Sequence, residues 1–322
     1  NDEDVSDPNK ADGRVIKTLM ALYNHPEGKG AMVGKSVTAE VMLAENQEIA
    51  IIAGSRKAQV VKTNEMISKI ILQTSRISGL SLVYDELLRF EGNEFHIAKF
   101  PQLAGRRFGD IILDFPNGCP VGVARPDGTH RLNPPSDYLL QPTDDVLILA
   151  EDDHIQYAPY QGPLRGMQIT PAGAATVRPM EHMLVLGWNE KIFPIVTEFD
   201  SYAAKGSTLT MVNSLEGQTV SERLKENCGE LKNIQTRHMV GEFTSRALME
   251  NLQPQNYPTV MVLGDASSGE ISAEDADTRA IIALLLLRDF QRRSGIATQE
   301  ICSEILNPKN RELMVKQGKA LS

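Results

Sequence analysis

Three groups of residues have the types and spacing to do chemistry. The first is the turn in "HMLVLGWNEKIFPIV", residues 182–196. An apolar strand runs into Gly187, and a helix-like stretch follows from Lys191. In a dinucleotide-binding fold this layout sets a pyrophosphate on a helix N-terminus. Here only the first glycine of G-x-G-x-x-G is present; Trp188, Asn189 and Glu190 fill the turn, and position 192 is Ile192. The acid that would end the next strand and hold a ribose is replaced by Asn213 and Ser214. Trp188 is expected to obstruct a close backbone approach to phosphate. Gly187, Trp188 and Asn189 therefore form a degenerate turn, expected to keep the fold and bind no cofactor.

The second group is acidic. Asp2, Glu3, Asp4 and Asp7 are expected to follow a strand, at the carboxyl edge of a sheet, where open α/β sheets bind ligands. Clustered carboxylates on a loop could supply oxygen ligands to Ca2+, although the spacing fits no EF-hand. Helix capping and solvated charge are the plainer alternative. Glu151, Asp152 and Asp153 carry the same two readings.

The third group would be nucleophiles and bases, and it yields no catalytic residue. The six histidines are scattered, and neither G-x-S-x-G nor H-E-x-x-H occurs. Cys119, Cys228 and Cys302 lie far apart without C-x-x-C, which argues against a disulfide framework or a zinc site. No enzyme is expected.

The elements that must position these residues belong to a chain of 322 residues, long enough for two or three domains. A net charge of −9 argues against a nucleic-acid partner. The longest apolar run, Ala280 to Leu287, has eight residues between Arg279 and Arg288, against roughly 20 for a membrane-spanning helix. The acidic first ten residues do not resemble a signal peptide.

Self-comparison shows a repeat. "SDPNKADGRVIKTLMAL" (6–22) matches "ISAEDADTRAIIALLLL" (271–287), with Ala11-Asp12-x-Arg14 over Ala276-Asp277-x-Arg279. "VTAEVMLAENQE" (37–48) matches "ICSEILNPKNRE" (301–312), pairing Glu40, Asn46 and Glu48 with Glu304, Asn310 and Glu312. Both matches share an offset of about 265 residues, which single chance similarities would not. Before the second copy stands the strand "YPTVMVLGD" (257–265). The sequence is therefore expected to be a segment holding more than one period of a two-period protein.

Residues 182–322 alternate strands (182–187, 207–213, 234–240, 258–264, 298–305) with helices (190–204, 217–228, 244–252, 274–293, 308–317). This predicts a parallel sheet covered on both faces. Glu274 or Asp275 is placed to cap the 274–293 helix. Residues 6–24 and 30–41 are the matching helix and strand of the first sheet. Residues 65–90 have helical apolar spacing, with Gly79 as a break or kink. Residues 94–150 predict a small α+β unit that turns at Asp127-Gly128. The Pro/Gly-rich 157–173 stretch predicts a linker.

This combination resembles tandem RCK domains, the cytosolic regulators of potassium channels and transporters. "LAGRRFGDIILDFPNGCPVGVARPDGTHRLNPPSDYLLQPTDDVLILAEDD" resembles the RCK C-lobe of TrkA-C type. More narrowly, "LLRFEGNEFHIAKFPQL" (87–103), "DDVLILAEDD" (144–153), "LGWNEKI" (186–192), "DADTRAIIALLLLRD" (275–289) and "SEILNPKNREL" (303–313) resemble the CASTOR/POLLUX ion channels of plant symbiosis and their bacterial relatives.

The resemblance implies an α/β chain of Rossmann-like parallel-sheet lobes joined through a small α+β C-lobe. Residues 1–62 would be the C-terminal part of the first RCK N-lobe and 63–92 a crossover helix region. Residues 93–153 would be the C-lobe, 154–180 a linker and 181–322 the second N-lobe. It also implies a homo-oligomeric gating ring, tetrameric in the parent channel, on the cytoplasmic side of the membrane beneath a pore domain of the same polypeptide. Such a ring would couple ligand binding, Ca2+ in the plant relatives, to pore gating. Two other readings stay open: a TrkA-like, nucleotide-binding subunit of a potassium transporter, and a Rossmann oxidoreductase. Self-association is expected through the 65–90 helix and the 94–150 lobe.

Overall fold

The computed structural model describes residues 8–31, 33–77, 79–89, 91–162, 179–267, 272–295, 299–307 and 309–310. The chain divides into two compact units. One comprises the chain up to Ser78 together with the chain from Val177, and the other is Gly79–Thr176.

The first unit opens with α1 (Pro8–Asn24), α2 (Pro26–Ala31), β1 (Thr38–Val41), α3 (Ala44–Ala53), β2 (Gln59–Lys62) and α4 (Thr63–Thr74). β1 and β2 pair in parallel, Thr38 opposite Gln59 through Val41 opposite Lys62. α1 and α3 cover them, burying Leu19, Tyr23, Val41 and Ala50. The strand expected over 30–41 is shorter than its sequence pattern. Residues up to Ala31 are helical, Gly34 takes φ 71°, and pairing starts only at Thr38. Polar Lys35 and Ser36 offer nothing to bury, so the extended run waits for the alternating Thr38–Val41.

The second unit holds α5 (Leu80–Leu88), β3 (Glu94–Ala98), α6 (Phe108–Ile111), β4 (Gly118–Ala124), β5 (His130–Leu132) and β6 (Asp145–Ala150). α4 and α5 are separate helices; Gly79 between them has φ 80°, a left-handed conformation that ends helical geometry. The antiparallel sheet runs β3-β6-β4-β5. Its buried face joins Val123, Val146 and Ile148 to Leu103, Phe108, Ile111 and Phe115. The β4–β5 hairpin turns at Asp127-Gly128, where the Asp127 carboxylate accepts the Thr129 N–H at 2.8 Å and Gly128 takes φ 83°.

Returning to the first unit, the chain forms β7 (His182–Leu186), α7 (Ile192–Tyr202), β8 (Ser207–Asn213), α8 (Gly217–Cys228), β9 (Ile234–Val240), α9 (Arg246–Leu252), β10 (Thr259–Val262), α10 (Ala273–Ser294) and β11 (Glu300–Ser303). The helix expected over 308–317 lies almost wholly outside the described residues. The sheet runs β11-β10-β7-β8-β9, all pairs parallel.

Side-chain alternation divides each strand between two cores. Met183, Val185, Leu209 and Met211 face α7 and α8, whereas Leu184, Leu186 and Val212 face α9 and α10. β8, flanked by β7 and β9 and covered on both faces, is buried at every residue. This doubly wound α/β layout is the Rossmann-like arrangement expected from the alternating pattern.

α4 packs on α7, although it follows the first sheet in sequence. Ile71 and Leu72 complete the core that holds Trp188, Phe193 and Phe199. Ser68, fully buried, donates to the Lys191 carbonyl at 3.1 Å. Among the described residues, no helix is long and apolar enough to cross a membrane.

Candidate functional site

The turn after β7 keeps its glycine for a steric reason. Gly187 has φ 90°, and a Cβ there would lie 2.5 Å from the Leu263 carbonyl oxygen of the neighbouring strand. Trp188 does not obstruct the turn as expected. Its indole is buried, edge-on to Phe193 with centroids 5.6 Å apart, and the Arg223 guanidinium lies 5.5 Å from its ring. A large apolar ring gains more from that core than from an exposed turn.

A carboxylate stands against the turn amide instead. Asp265, just past β10, accepts the Trp188 N–H and the Ser267 N–H, each at 3.1 Å, and pairs with Arg279 at 2.7 Å. Arg279 also pairs with Glu242 at 2.8 Å. Asn189 donates to the Gly264 carbonyl at 2.8 Å and to Glu304 at 2.9 Å, and accepts the Lys191 N–H at 3.0 Å. Glu304 in turn pairs with Lys191 at 2.8 Å and accepts the Gly264 N–H at 2.9 Å. The Trp188, Gly264 and Ser267 N–H groups at this edge of the second sheet are thus met by the chain's own carboxylates, which is chemistry unsuited to receiving a phosphate.

Asn213, the residue in place of a ribose-binding acid, is fully buried. It accepts the Leu215 N–H at 3.0 Å and shares a hydrogen bond of 3.1 Å with His238 Nε2. Burial pushes the His238 imidazole below its ordinary value.

The internal repeat has a structural cause. Asp12 on α1 accepts the N–H groups of Met42 and Leu43 at 2.9 and 3.0 Å and the Asn46 side-chain amide at 3.0 Å. Asp277 on α10 accepts the N–H groups of Leu306 and Asn307 at 2.7 and 2.9 Å and the Asn310 side-chain amide at 2.9 Å. Both carboxylates are buried. Each copy thus uses one aspartate to fasten the loop after its strand to the preceding helix. The expected cap of α10 shifts by a few residues: Ser272 is the N-cap and accepts the Asp275 N–H at 3.1 Å, while Asp275 reaches back to the Ser272 hydroxyl at 2.7 Å. The Ser272 hydroxyl thus accepts from one group of Asp275 and donates to another, an N-cap held from both sides.

In the first copy the fastened loop borders a cleft of about 630 Å3. The cleft opens at the carboxyl ends of β1 and β2, and its far wall comes from α7 and α8. Met42, Leu43 and Phe193 give it apolar surface. Its cations are held by its acids. Glu65 pairs with both Lys62 and Lys69 at 2.9 Å, and Arg223 pairs with Glu190 at 2.7 Å. The hydrogen bonds from Lys69 and Lys62 hold the Glu65 carboxyl below its usual range. The size suits a small ligand, and one seated there would touch both Rossmann-like lobes.

The Ca2+ candidates Asp2, Glu3, Asp4 and Asp7 lie outside the described residues, though Pro8 and Asn9, which follow them, line this cleft. Among the described residues, Asp152, Asp153 and His154 bring one ligand atom each to within 4.8 Å of one another, and all three are exposed. Sequence reasoning passed over Asp265, Ser68 and the clustering of Lys191 with Glu304. Asp265 could have been found from "LGD", an acid closing a buried strand in a chain that lacks the cradle glycines.

Residues 64–162 match a family model described as Castor and Pollux, part of voltage-gated ion channel. The chain is 31% identical over 289 residues to the probable ion channel POLLUX of Arabidopsis thaliana, covering 88% of this chain and 34% of that protein. It is 30% identical over 289 residues to the ion channel CASTOR of Lotus japonicus, covering 88% of this chain and 33% of that protein. To the probable ion channel POLLUX of Oryza sativa subsp. japonica it is 30% identical over 296 residues, covering 90% of this chain and 30% of that protein. The chain spans about a third of the length of these curated relatives.

Proposed function

Since this chain is a homologue of the CASTOR and POLLUX ion channels, we propose that it is the regulatory, ligand-sensing segment of a cation channel. In this reading it lies on the cytoplasmic side of the membrane and assembles with its copies into a gating ring beneath the pore. The observation that carries the proposal is the cleft between the two Rossmann-like lobes. A ligand that binds one arrangement of the lobes better than another shifts their equilibrium by that difference in affinity. The second lobe, whose turn is met by Asp265 and Glu304, serves as scaffold. Ca2+ is the first ligand to test.

Titration calorimetry on the metal-stripped chain, with Ca2+, Mg2+, NADH and ATP as separate titrants, tests the reading. The expected result is a Ca2+ isotherm that Mg2+ does not reproduce. Nucleotide binding without a Ca2+ response would replace this reading with a nucleotide-binding transporter subunit. Silence from all four would remove the sensing role from this segment.

Self-association rests on exposed apolar surface in the second unit. No residue of α5 is buried; Leu82 is 73% and Leu88 69% exposed, while Phe95 and Ile97 of β3 are about half exposed. Exposed apolar surface, where it forms a large patch, marks interaction sites. Light scattering at micromolar concentration is expected to give a dimer or larger, and a monomer mass would overturn this part of the proposal.

A further inference from the structure

The second unit does not end with its last strand. Residues 154–160, at the start of the stretch expected as a linker, form neither helix nor strand, yet they are fastened to the loop between α6 and β4. The Gln156 N–H donates to Asn117 Oδ1 at 2.8 Å, and Asn117 Nδ2 donates back to the His154 carbonyl at 2.9 Å. The Ala158 N–H donates to the Asp114 carbonyl at 2.8 Å, and the Tyr160 N–H to the Asp114 carboxylate at 2.9 Å. Alternate side chains turn inward: Ile155 and Tyr157 pack on the unit's core, while His154, Gln156 and Ala158 are exposed. The Tyr157 ring lies 6.1 Å from Phe100 and 5.7 Å from Phe115, centroid to centroid, and its hydroxyl accepts from Arg106 at 3.0 Å.

The groups that hold this segment also hold one another. Phe100 and Phe115 meet edge-on with centroids 5.0 Å apart. Arg106 donates to the Asp114 carboxylate, which is 2% exposed, and to the Asp110 carbonyl at 3.1 Å. The segment itself adds no strand to the sheet, and none of its residues is fully buried. Main-chain hydrogen bonds alternating with side-chain pockets are how grooves receive extended peptides.

We propose that Phe100, Arg106, Asp114, Phe115 and Asn117 form a peptide-binding groove, selective for an apolar residue followed two places later by tyrosine, and that residues 154–160 are the strap that fills it. The strap lies at the low-stability end of the unit, because its side chains are only partly buried and its bonds to Asn117 are open to water. It therefore opens before the β4–β6 ladder does and bares the groove. A separate peptide of the same chemistry must compete with a tethered segment, whose effective concentration is high.

The test uses a fluorescein-labelled peptide with the sequence of residues 154–160, titrated with the full chain and read by fluorescence anisotropy. A chain carrying Ile155→Gly and Tyr157→Gly has a disabled strap, and it is expected to bind the peptide at least about tenfold tighter than the parent chain does. Adding Asn117→Ala should weaken that binding about tenfold, through two lost hydrogen bonds. Asn117 is exposed, so this change leaves the core intact. A peptide with serine in place of Ile155 and Tyr157 should not bind. Equal affinity for parent and strap-disabled chains, or indifference to Asn117→Ala, would overturn the proposal, as would no binding by a strap-disabled chain whose circular dichroism matches the parent. Hydrogen exchange on the unaltered chain reports even if the variants fold poorly. The Gln156, Ala158 and Tyr160 amides are expected to be protected, yet to exchange ahead of β4 and β6. Exchange at the unprotected rate, or only together with β6, would equally overturn it.

Discussion

Replacing Asp265 by alanine is expected to cost about 3–5 kcal/mol of folding stability, the range for breaking a buried ion pair. The carboxylate is fully buried and holds Arg279 at 2.7 Å. Without it, Arg279 keeps only Glu242, which is 43% exposed and therefore partly screened by water. The Trp188 N–H, buried behind Gly187, loses its acceptor as well. Urea unfolding monitored by circular dichroism measures the loss as a fall in midpoint at constant slope. Asp265→Asn should recover part of it, because the amide oxygen still accepts from the turn. A midpoint for Asp265→Ala within about 1 kcal/mol of the parent would mean that the carboxylate does not hold this turn.

The second large effect belongs to the repeated aspartates. Asp277→Ala removes the acceptor of three hydrogen bonds and leaves two backbone donors of the 306–307 loop unmet, a loss of about 3 kcal/mol. Asp12→Ala removes the same three bonds from the first copy, so a loss of similar size is expected there. The two should differ in binding. Met42 and Leu43, which Asp12 fastens, line the cleft, so Asp12→Ala should weaken any ligand found by calorimetry. Asp277→Ala should leave that affinity unchanged. Equal effects of both on binding would place the ligand elsewhere.

These residues also show where sequence is legible. The pairs Asp12–Asn46 and Asp277–Asn310 stand out because the same three bonds had to be made twice, which kept the same residue types at one offset. The strands of the second sheet are readable from their apolar runs, since a strand covered on both faces admits little else. Gly79 announces its break because only glycine takes that φ without strain.

The rest is hidden for physical reasons. Asp265 meets Trp188 across 77 residues and Arg76 meets Glu181 across 105. No local pattern encodes such pairings, which depend on how strands order themselves in a sheet. Helical periodicity in 65–90 shows that an apolar face exists, but not what covers it. The strand expected over 30–41 shortens to Thr38–Val41 because α2 runs to Ala31 and polar Lys35 and Ser36 give pairing nothing to bury.

The docking of α4 has a practical consequence for dissecting the protein. By chain order this helix closes the first lobe, yet Ile71 and Leu72 are buried with Phe199 and Met211 of the second. A recombinant piece cut to begin at His182 would bare the patch those side chains cover, together with the Lys191 carbonyl that Ser68 caps. The second lobe is therefore discontinuous in the gene, with the Gly79–Thr176 unit spliced between its own helix and its own sheet. A self-sufficient version would need Thr63–Thr74 grafted ahead of β7 through a short artificial linker, in the manner of a deleted insertion.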